Sequence, residues 1–528
     1  MKTKVKKFLS ILISLLIVFT AAGCGNNKEQ NETNNTADTE STSETPKRGG
    51  SISIYSYKPD TLCPLLSLNN ANLRMLNIVY DGLFTIDENM NVLPCLALSW
   101  TKHDNNTRYV VNLRENVLFH DGSLLVPEDV IFSVDTIKSE PKSPYYHNVS
   151  VIKDVKEAGA NSVEFILTKP LANFVNLLDF PIIKKQAEEI DKENYAPNGT
   201  GGFIFEDRNE GNLFHLVRND NWWGGEIYLD SVTVRLLPDK DTAIYAFSSG
   251  DITFCPAESD DWGKFVDTKT SAYKEYKTEY YNFIGLNNKS SLFSDEETRR
   301  ALLNIIDREE VLKSGVPSFC EPSNAPVRSD WVYLKEEKNE TAKNLDEARK
   351  LLEDAGWSIQ DGVYKRRSGR RNIDLRVEIL VNEESYKKER FAQKAAEQLS
   401  EFGIEAEVKK LPYDQYIKDV NSEKYDMFVG SINLSKELDF EFLLGEGNMF
   451  FANDEELLKA AADMQLCENE NDFSESLNNF VKLFNEKVPF IGLGFENSVL
   501  LYKSNIKGEI NPLSNNIYNG MEKMYMTE

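Results

Sequence analysis

The adjacent residues His120 and Asp121 are of the types that build a catalytic dyad. Gly122 follows them directly, and because an Asp-Gly pair favours a turn, we interpret the pair as part of a turn between a strand and a helix. The sequence contains no Gly-x-Ser-x-Gly pattern, no His-Glu-x-x-His pattern and no Cys–His pairing that would indicate a nucleophile with its base. We therefore predict that the protein is not an enzyme and uses no cofactor. A glycosidase-like carboxylate pair among the 85 acidic residues stays open as an alternative, although nothing in the sequence singles one out.

The histidines and cysteines indicate neither a metal site nor a disulfide framework. There are four histidines, and no two of them have the spacing of metal ligands. Six cysteines occur at wide and irregular intervals: Cys24, Cys63, Cys95, Cys255, Cys320 and Cys467. Without Cys24 their number is odd, unlike the even count of a disulfide-bonded scaffold. We predict no bound metal and interpret most of these cysteines as small buried apolar residues.

Cys24 ends an N-terminal stretch with the layout of a secretory signal peptide. Four lysines precede an apolar run from Phe8 to Phe19, which is too short for an ordinary membrane-spanning helix. The small residues Ala21-Ala22-Gly23 before Cys24 resemble the lipobox of bacterial lipoproteins, which implies that Cys24 is lipidated. We expect residues 1–23 to be the signal peptide, and residues 24–48 to be the lipidated cysteine with a disordered tether. A plain cleaved signal with an incidental cysteine is the alternative.

Charge and length exclude several classes of protein. The chain carries 60 basic and 85 acidic residues, which gives a formal net charge of -25. This balance argues against a nucleic-acid partner, whose phosphates need clustered Lys and Arg, and against electrostatic capture of anionic lipid. A chain of 528 residues is too long for one core, so we expect two or three lobes. A lipidated Cys24 would hold these lobes at the extracytoplasmic face of the cell membrane.

Hydrophobic periodicity predicts alternating strands and helices. Pro127 with two acids behind it predicts a helix start. Ser294 with Glu297 predicts the capping box of another helix. Alternation predicts strands at Ser51–Tyr55, Tyr280–Leu286, Val488–Leu493 and Asn497–Tyr502.

The second half contains the clearest supersecondary unit. Leu375–Val381 alternates as a strand, a helix with one apolar face follows and ends at Gly403, and Ile404–Val408 alternates again. This strand–helix–strand crossover predicts parallel strands with a right-handed connection. Tyr425–Val429 predicts a further buried strand. Because ligands of open α/β sheets bind beyond the carboxyl ends of the strands, residues 430–435 should face a crevice.

Several short motifs occur in one order along this body. They are Leu113-Arg114-Glu115 with Phe119-His120-Asp121-Gly122 and Glu128-Asp129-Val130, Asn198-Gly199-Thr200-Gly201, Arg218-Asn219 to Trp222-Trp223, Phe293-Ser294-Asp295 to Arg300-Ala301, Ile306-Asp307-Arg308, and Asp346-Glu347-Ala348 to Ala355-Gly356-Trp357. Together they resemble the family 5 extracellular solute-binding proteins of ABC importers, the oligopeptide- and dipeptide-binding class. The motif order, behind a lipobox, makes the resemblance specific.

The resemblance implies an α/β fold of the periplasmic-binding-protein type, with two hinged lobes in the type II topology. It also implies an extra subdomain inserted in the first lobe. On this basis we expect lobe I to be built from three separate stretches of the chain, at 49–90, 209–288 and 489–528. The inserted subdomain should span 91–208, and lobe II should span 289–488.

The resemblance further implies that a ligand is captured between the lobes and delivered to a permease, with transport driven by separate ATPase subunits. The family typically binds an extended peptide as an added strand. An acid in its Trp-x-x-Asp stretch commonly pairs with the peptide amino group, but Gly430–Ser435 contains neither the Trp nor the acid. We therefore do not extend the family's recognition of a free peptide amino terminus to this chain. We predict that Leu62, Cys63, Tyr281, Ser431, Ile432 and Asn433 line the cleft.

An oligopeptide is thus the expected ligand, and two alternatives stay open. The same scaffold could bind a non-peptide ligand such as a metal chelate or a sugar, or it could sense peptides for signalling without transport. We expect a monomer whose partners are the ligand, the permease and ATPase subunits, and the cell membrane through the lipid anchor, with no nucleic acid.

Overall fold

The computed structural model describes residues 46–206, 211–257, 262–316, 320–334 and 343–527. The described strands are β1 (Ser51–Ser56), β2 (Phe84–Ile86), β3 (Val92–Pro94), β4 (Ala97–His103), β5 (Arg108–Leu113), β6 (Ile152–Gly159), β7 (Ser162–Leu167), β8 (Phe203–Glu206), β9 (Leu213–Arg218), β10 (Ser231–Leu236), β11 (Phe254–Pro256), β12 (Ser271–Leu286), β13 (Cys320–Pro322), β14 (Ser358–Gln360), β15 (Val363–Ser368), β16 (Arg371–Asp374), β17 (Arg376–Asn382), β18 (Glu405–Leu411), β19 (Met427–Asn433), β20 (Phe490–Lys503), β21 (Ile506–Lys507) and β22 (Tyr525–Met526).

The described α-helices alternate with these strands. They are α1 (Asn70–Leu76), α2 (Pro127–Ser139), α3 (Tyr146–Ser150), α4 (Lys240–Ser249), α5 (Glu296–Ile305), α6 (Arg308–Gly315), α7 (Leu345–Asp354), α8 (Tyr386–Phe402), α9 (Tyr413–Asn421), α10 (Glu441–Leu444), α11 (Glu455–Met464) and α12 (Glu470–Lys487). The predicted signal peptide and the lipidation of Cys24 lie outside the described residues. No helix in the described ranges combines the length and apolarity needed to cross a membrane.

We call the elements before β12 and after β20 the first lobe, and the elements between these two strands the second lobe. One of its sheets has the order β1-β10-β9-β8, in which β1 runs parallel to β10 and the other pairs are antiparallel. Ile52 and Ile54 of β1 and Val232 and Val234 of β10 are completely buried in one core, because alternate side chains of paired strands point to the same face.

A second sheet of the first lobe has the order β4-β5-β7-β6. We call this sheet, the helices α2 and α3 and the segment that follows β7 the β4–β7 module. Helix α2 begins at Pro127, as predicted, with Glu128 and Asp129 in its first turn. The side chain of Asp129 accepts a hydrogen bond from the Val126 N–H at 2.9 Å, so the acid satisfies a backbone donor at the helix start.

Two long antiparallel strands, β12 and β20, connect the lobes. The Tyr276 end of β12 is buried in the core of the first lobe, whereas Phe283 and Phe490 are buried in a core of the second lobe.

The prediction of two strands at 488–493 and 497–502 is wrong, because β20 is one continuous strand of 14 residues. Likewise, β12 begins at Ser271 rather than at Tyr280.

The second lobe, formed by the elements between β12 and β20, contains the predicted crossover. Strands β17 and β18 are parallel and are connected by α8, whose C-terminal residue is followed by Gly403 at a φ of 103°. Such a left-handed conformation favours glycine, so the predicted helix end is confirmed. The predicted capping box of α5 is wrong by one residue, since Asp295, not Ser294, accepts the Thr298 N–H at 2.9 Å. A carboxylate also interacts favourably with the helix dipole.

Candidate functional site

Strand β19 has one edge that is only partly covered by a neighbouring strand. On one side it pairs with β12 along its whole length, from Met427 to Asn433. On the other side it pairs with β17 only at Met427 and Phe428. Within the described residues, the chain from Val429 to Asn433 therefore has no partner strand on this side. We call this stretch the open edge.

The hydrogen-bond phase of the β12–β19 pair determines which backbone groups face the open edge. The Leu434 N–H donates to the Glu279 carbonyl at 2.9 Å, which assigns even-numbered residues of β19 to bonds with β12. Because the direction alternates along an antiparallel pair, the N–H and C=O groups of Ser431 and Asn433 point toward the open edge. The Tyr416 hydroxyl donates to the Val429 carbonyl at 2.8 Å, which agrees with this phase and closes one end of the edge.

The side chains beside the open edge are polar and accessible. Ser431 Oγ lies 2.7 Å from the hydroxyl oxygen of Tyr280, and that tyrosine is 38% exposed. Asn433 is exposed and pairs with Tyr280 across the strands. Next to them, the buried Asn282 donates from Nδ2 to Glu496 Oε1 at 3.0 Å, while its Oδ1 has no hydrogen-bond partner among the described residues. This side of the crossing strands therefore offers donors and acceptors to a ligand.

The structure brings four of the six predicted cleft residues together. Tyr281 pairs with Ile432 on adjacent strands, and Ser431 and Asn433 flank Ile432. The side chain of Tyr281 is completely buried and donates to the Ser323 carbonyl at 3.3 Å, and burial raises its pKa well above the usual value. In the phase described above its backbone N–H and C=O point toward Ile432, so neither its side chain nor its backbone polar groups face the open edge. Contact of these four residues with a ligand stays a prediction.

The other two predicted residues lie after β1 in the first lobe. Leu62 is partly exposed and packs on the core of that lobe. The Cys63 side chain is completely buried, and burial raises the pKa of its thiol to about 12. Its backbone N–H is held by the Thr61 hydroxyl at 3.1 Å. Ligand contact by Leu62 and Cys63 also stays a prediction.

Three charged contacts join the segment after β19 to the β4–β7 module, and the sequence analysis missed all of them. The first is an ion pair of 3.1 Å between Lys436 Nζ and Asp179 Oδ2, whose side chains are 14% and 11% exposed. Asn148 and Asn515 also donate to the Asp179 carboxylate, at 3.2 and 2.9 Å. Burial lowers the pKa of Lys436, but the attraction of Asp179 and Glu279 outweighs it and leaves that pKa above its usual value.

The second contact joins His147 of α3 to Glu437. His147 Nε2 lies 2.8 Å from Glu437 Oε1 and 2.9 Å from Ser435 Oγ. The hydrogen bond to Glu437 raises the pKa of His147. Ser435 also donates a hydrogen bond to the same carboxylate, so the buried Glu437 has partners at both of its oxygens.

The third contact is made by Lys169, which follows β7. Its Nζ lies 2.7 Å from Asp439 Oδ2 and 2.6 Å from Glu441 Oε2. Partial burial lowers the pKa of Lys169, but its hydrogen bonds to the two carboxylates outweigh this and raise that pKa. No local pattern could have revealed the three contacts, because each partner is more than 250 residues away along the chain.

Uncharged groups complete this contact. The amide of the buried Asn106 donates to the carbonyls of Gln465 and Cys467 at 3.0 and 2.9 Å. The Gln465 Oε1 in turn accepts the Ala172 N–H at 3.2 Å. The β4–β7 module is therefore attached to the second lobe by directional bonds between buried groups.

His120 has a structural role, as the sequence analysis predicted. Its Nε2 lies 3.0 Å from the Gly201 carbonyl oxygen, and its backbone N–H donates to the Gly199 carbonyl at 2.9 Å. Burial lowers the pKa of His120. The motif residues Thr200 and Trp223 both donate to Asp81 Oδ2 at 2.9 Å, so these motifs hold parts of the first lobe together.

The described residues contain no group of three or more His, Cys, Asp or Glu side chains that could hold a metal ion. The open edge, with its backbone donors and acceptors, is the candidate site. These groups can bind a ligand by hydrogen bonds, which need no proton transfer.

Comparison with known proteins identifies relatives of the chain. The family model described as "Bacterial extracellular solute-binding proteins, family 5 Middle" matches residues 91–444. The oligopeptide-binding protein AppA of Bacillus subtilis (strain 168) is 25% identical over an alignment of 550 positions, gaps included, that covers 98% of this chain and 98% of AppA.

Solved structures share the fold. AppA from Bacillus subtilis in complex with a nonapeptide matches with a TM-score of 0.63 and 24% identity over 92% of this chain and 100% of that one. The periplasmic murein tripeptide binding protein MppA, in its unliganded open form, matches with a TM-score of 0.78 and 20% identity. The match covers 91% of this chain and 97% of MppA. NikZ from Campylobacter jejuni, in complex with Ni(L-His), matches with a TM-score of 0.66 and 21% identity. The match covers 91% of this chain and 100% of NikZ. These likenesses confirm the predicted two-lobe α/β fold.

Proposed function

This chain belongs to the bacterial extracellular solute-binding proteins of family 5, and on that premise we propose that it captures an oligopeptide between its lobes and delivers it to the permease of an ABC importer. Transport would be driven by separate ATPase subunits. The proposed role needs binding and release, and no catalytic group.

The open edge of β19 is the observation that carries this proposal. An extended peptide has the same spacing of N–H and C=O groups as a strand, so it can add to an unpaired edge by main-chain hydrogen bonds. Ser431 and Asn433 offer two donors and two acceptors there. Because such bonds do not depend on ligand side chains, this mode favours peptides of many sequences.

Closure follows from the position of the open edge beside the strands that cross between the lobes. A ligand that contacts both lobes binds the closed state better than the open one, and this difference in affinity shifts the population toward closure. We propose Leu62 and Cys63 as contacts from the first lobe, and Tyr281, Ser431, Ile432 and Asn433 as contacts from the crossing strand and the second lobe.

The relatives support a peptide ligand and also keep one alternative in view. AppA is named an oligopeptide-binding protein and was solved with a nonapeptide, whereas NikZ was solved with Ni(L-His). The ligand of NikZ makes a complex of a metal with an amino acid the other candidate ligand. In this chain, a chelate of that kind would meet the same donors and acceptors at the open edge.

Native mass spectrometry of the protein purified from its own cells tests the ligand class. We expect co-purified peptides of mixed sequence, because main-chain recognition is tolerant of side chains. A retained metal chelate would replace the peptide proposal. If nothing co-purifies, and small-angle scattering is unchanged by a pool of random nonapeptides, the peptide proposal is refuted.

We further propose that the protein is a monomer and that Cys24 is lipidated at the extracytoplasmic face of the cell membrane. Two or three acyl chains on one cysteine would hold it firmly, whereas a single chain would not. Labelled palmitate should therefore be incorporated by the wild-type protein, and Cys24→Ala should abolish the label and release the protein from the membrane fraction. Retention of Cys24→Ala in that fraction would contradict the anchor.

Transport and peptide sensing are separated by an uptake experiment. Deletion of the gene should abolish the import of a labelled nonapeptide, and expression of the wild-type protein should restore it. Unchanged import in the deletion strain would favour a sensing role without transport.

A further inference from the structure

The segment Ser435–Glu441 carries a row of charges that meets the β4–β7 module. We call this segment and its three partners, His147, Lys169 and Asp179, the clasp. From its first to its last residue, the segment presents a hydroxyl, an ammonium and three carboxylates. Each charge of the segment is paired: Lys436 with Asp179, Glu437 with His147, and Asp439 and Glu441 with Lys169.

The clasp joins parts of the chain that belong to different lobes. Its contacts can form only when the second lobe lies against the β4–β7 module, and they would separate if the lobes opened. The open edge ends at Asn433, only two residues before the clasp begins. A change in clasp strength is therefore a change in the equilibrium between open and closed lobes, and it reaches the candidate site directly.

His147 differs from the other clasp residues because its charge can change near neutral pH. Its side chain is 61% exposed, while the side chain of its partner Glu437 is 4% exposed. Solvent protons can thus reach the histidine, and the carboxylate it faces is withdrawn from water. The groups that face His147 are Glu437, Ser435, Asp439 and Lys169.

We propose that the clasp makes closure of the lobes dependent on pH, with His147 as the titrating group. Protonated His147 donates a charge-assisted hydrogen bond to Glu437 and strengthens the clasp. Neutral His147 leaves the buried carboxylate without a cation and weakens the clasp, because an unpaired charge in a buried position is costly.

The direction of the effect follows from linkage. In the closed lobes the hydrogen bond to Glu437 raises the pKa of His147, assisted by the charges of Glu437 and Asp439 and opposed by burial and by Lys169. In open lobes Glu437 is out of reach, so the pKa returns toward its usual value. The closed state therefore binds the proton more tightly, and closure is favoured as the pH falls. The contribution of the His147–Glu437 pair to closure is complete below the usual histidine pKa. It is lost as the pH rises through the raised pKa that His147 has in the closed lobes.

The two lysines of the clasp, Lys436 and Lys169, keep their charge in this range. Raised pKa values keep Lys436 and Lys169 protonated. Their ion pairs therefore contribute to closure equally at each pH in this range, and the pH-dependent contribution of His147 adds to theirs. Since His147 is more than half exposed, we expect a change at the low end of usual coupling strengths, about fivefold in the ratio of closed to open lobes.

Small-angle scattering tests the proposal, on protein that has been freed of any co-purified peptide by unfolding, dialysis and refolding. We expect the wild-type protein to be more compact at about pH 5 than at about pH 8, between which an ordinary histidine changes charge. His147→Gln retains a side chain that can donate to Glu437 but cannot titrate, so it should lose the difference between the two pH values. His103→Gln is the matched control: it replaces an exposed histidine of β4 whose Nε2 lies 2.9 Å from the Thr101 hydroxyl oxygen, and it should retain the difference.

Two results would overturn the proposal: equal compactness of the wild-type protein at both pH values, or an undiminished difference in His147→Gln. Glu437→Gln is a second variant that removes the charge facing His147, and it should also abolish the difference. Since no peptide is present, the outcome is independent of the proposed peptide ligand, and a failure of either proposal can be told apart from a failure of the other.

Discussion

The open edge and the clasp are neighbours on the chain, but their polar groups are satisfied in opposite ways. At the open edge, the backbone groups of Ser431 and Asn433 have no partner strand on one side within the described residues. In the clasp, Lys436 and Glu437 are mostly buried and have partners at short distances. One region is left incomplete, whereas the other is completed by the protein itself.

The difference indicates what each region can do. Water satisfies the groups of an empty exposed edge at little cost, so a ligand can bind there and leave again. A buried charge that loses its partner is much more costly, so the clasp responds strongly when the partner of one of its buried charges is removed. Reversible binding and control of closure thus place opposite demands on adjacent stretches of one segment.

The largest effect should come from breaking the buried pair of the clasp. Lys436→Met leaves Asp179 without a cation in a site where its side chain is 11% exposed. We expect a shift toward open lobes of about a hundredfold, or about 2.7 kcal/mol, measured by small-angle scattering. The double variant Lys436→Met with Asp179→Asn should recover some of this loss, because no unpaired charge remains. Unchanged compactness of Lys436→Met would show that the pair does not hold the lobes.

The next largest effect should come from filling the open edge. Ser431→Pro removes an N–H group that points away from β12, so the strand pair is retained while one ligand donor is lost. We expect affinity for a co-purified peptide to fall about tenfold, measured by calorimetry. Ser431→Ala is the matched control, since it removes the hydroxyl but keeps the N–H. Equal losses in both variants would assign recognition to the side chain instead of the backbone.

A smaller effect should follow from the exposed member of the clasp. Lys169→Ala removes contacts to Asp439 and Glu441, but Lys169 is 44% exposed, and exposed pairs contribute about 0.2–1 kcal/mol. We expect a shift toward open lobes of about twofold to fivefold that vanishes near 1 M salt, where screening is strong. A shift that persists at high salt would mean that Lys169 acts by packing and not by its charge.

The smallest effect should come from a side chain beside the open edge. Tyr280→Phe removes a hydroxyl that lies 2.7 Å from Ser431 Oγ but leaves every backbone group in place. If the backbone dominates recognition, peptide affinity measured by calorimetry should change by less than about twofold. A loss as large as that of Ser431→Pro would make this hydroxyl a specific contact and would weaken the contrast between the two regions.

The sequence predicts much of the fold because the signals involved are local. The crossover of β17, α8 and β18 is evident from a period of two, a helical face and the terminating Gly403, and all of these lie within about 40 residues. The start of α2 at Pro127 is equally local. The long strand β20 is not, because Gly494, at a φ of 139°, and the polar residues that follow it interrupt the apolar pattern that would mark one strand.

The candidate site is predicted only incompletely, and Tyr280 and Tyr281 explain why. Successive side chains of a strand point to opposite faces, so a choice of phase decides which tyrosine faces the cleft. Hydrophobicity cannot make that choice between two identical residues. The structure leaves Tyr280 38% exposed and buries Tyr281 completely. The clasp is beyond sequence reasoning, since its partners meet only in the finished fold.

The late position of β20 in the chain has a consequence for biosynthesis. This strand pairs with β11, β12 and β13, so the sheet that crosses between the lobes is incomplete until residues 490–503 have left the ribosome. A premature stop codon anywhere before Phe490 would deprive both lobes of this strand, and the truncated product should be degraded. For the same reason, this crossing sheet should be completed only when translation is nearly finished, whereas the β4-β5-β7-β6 sheet can form much earlier.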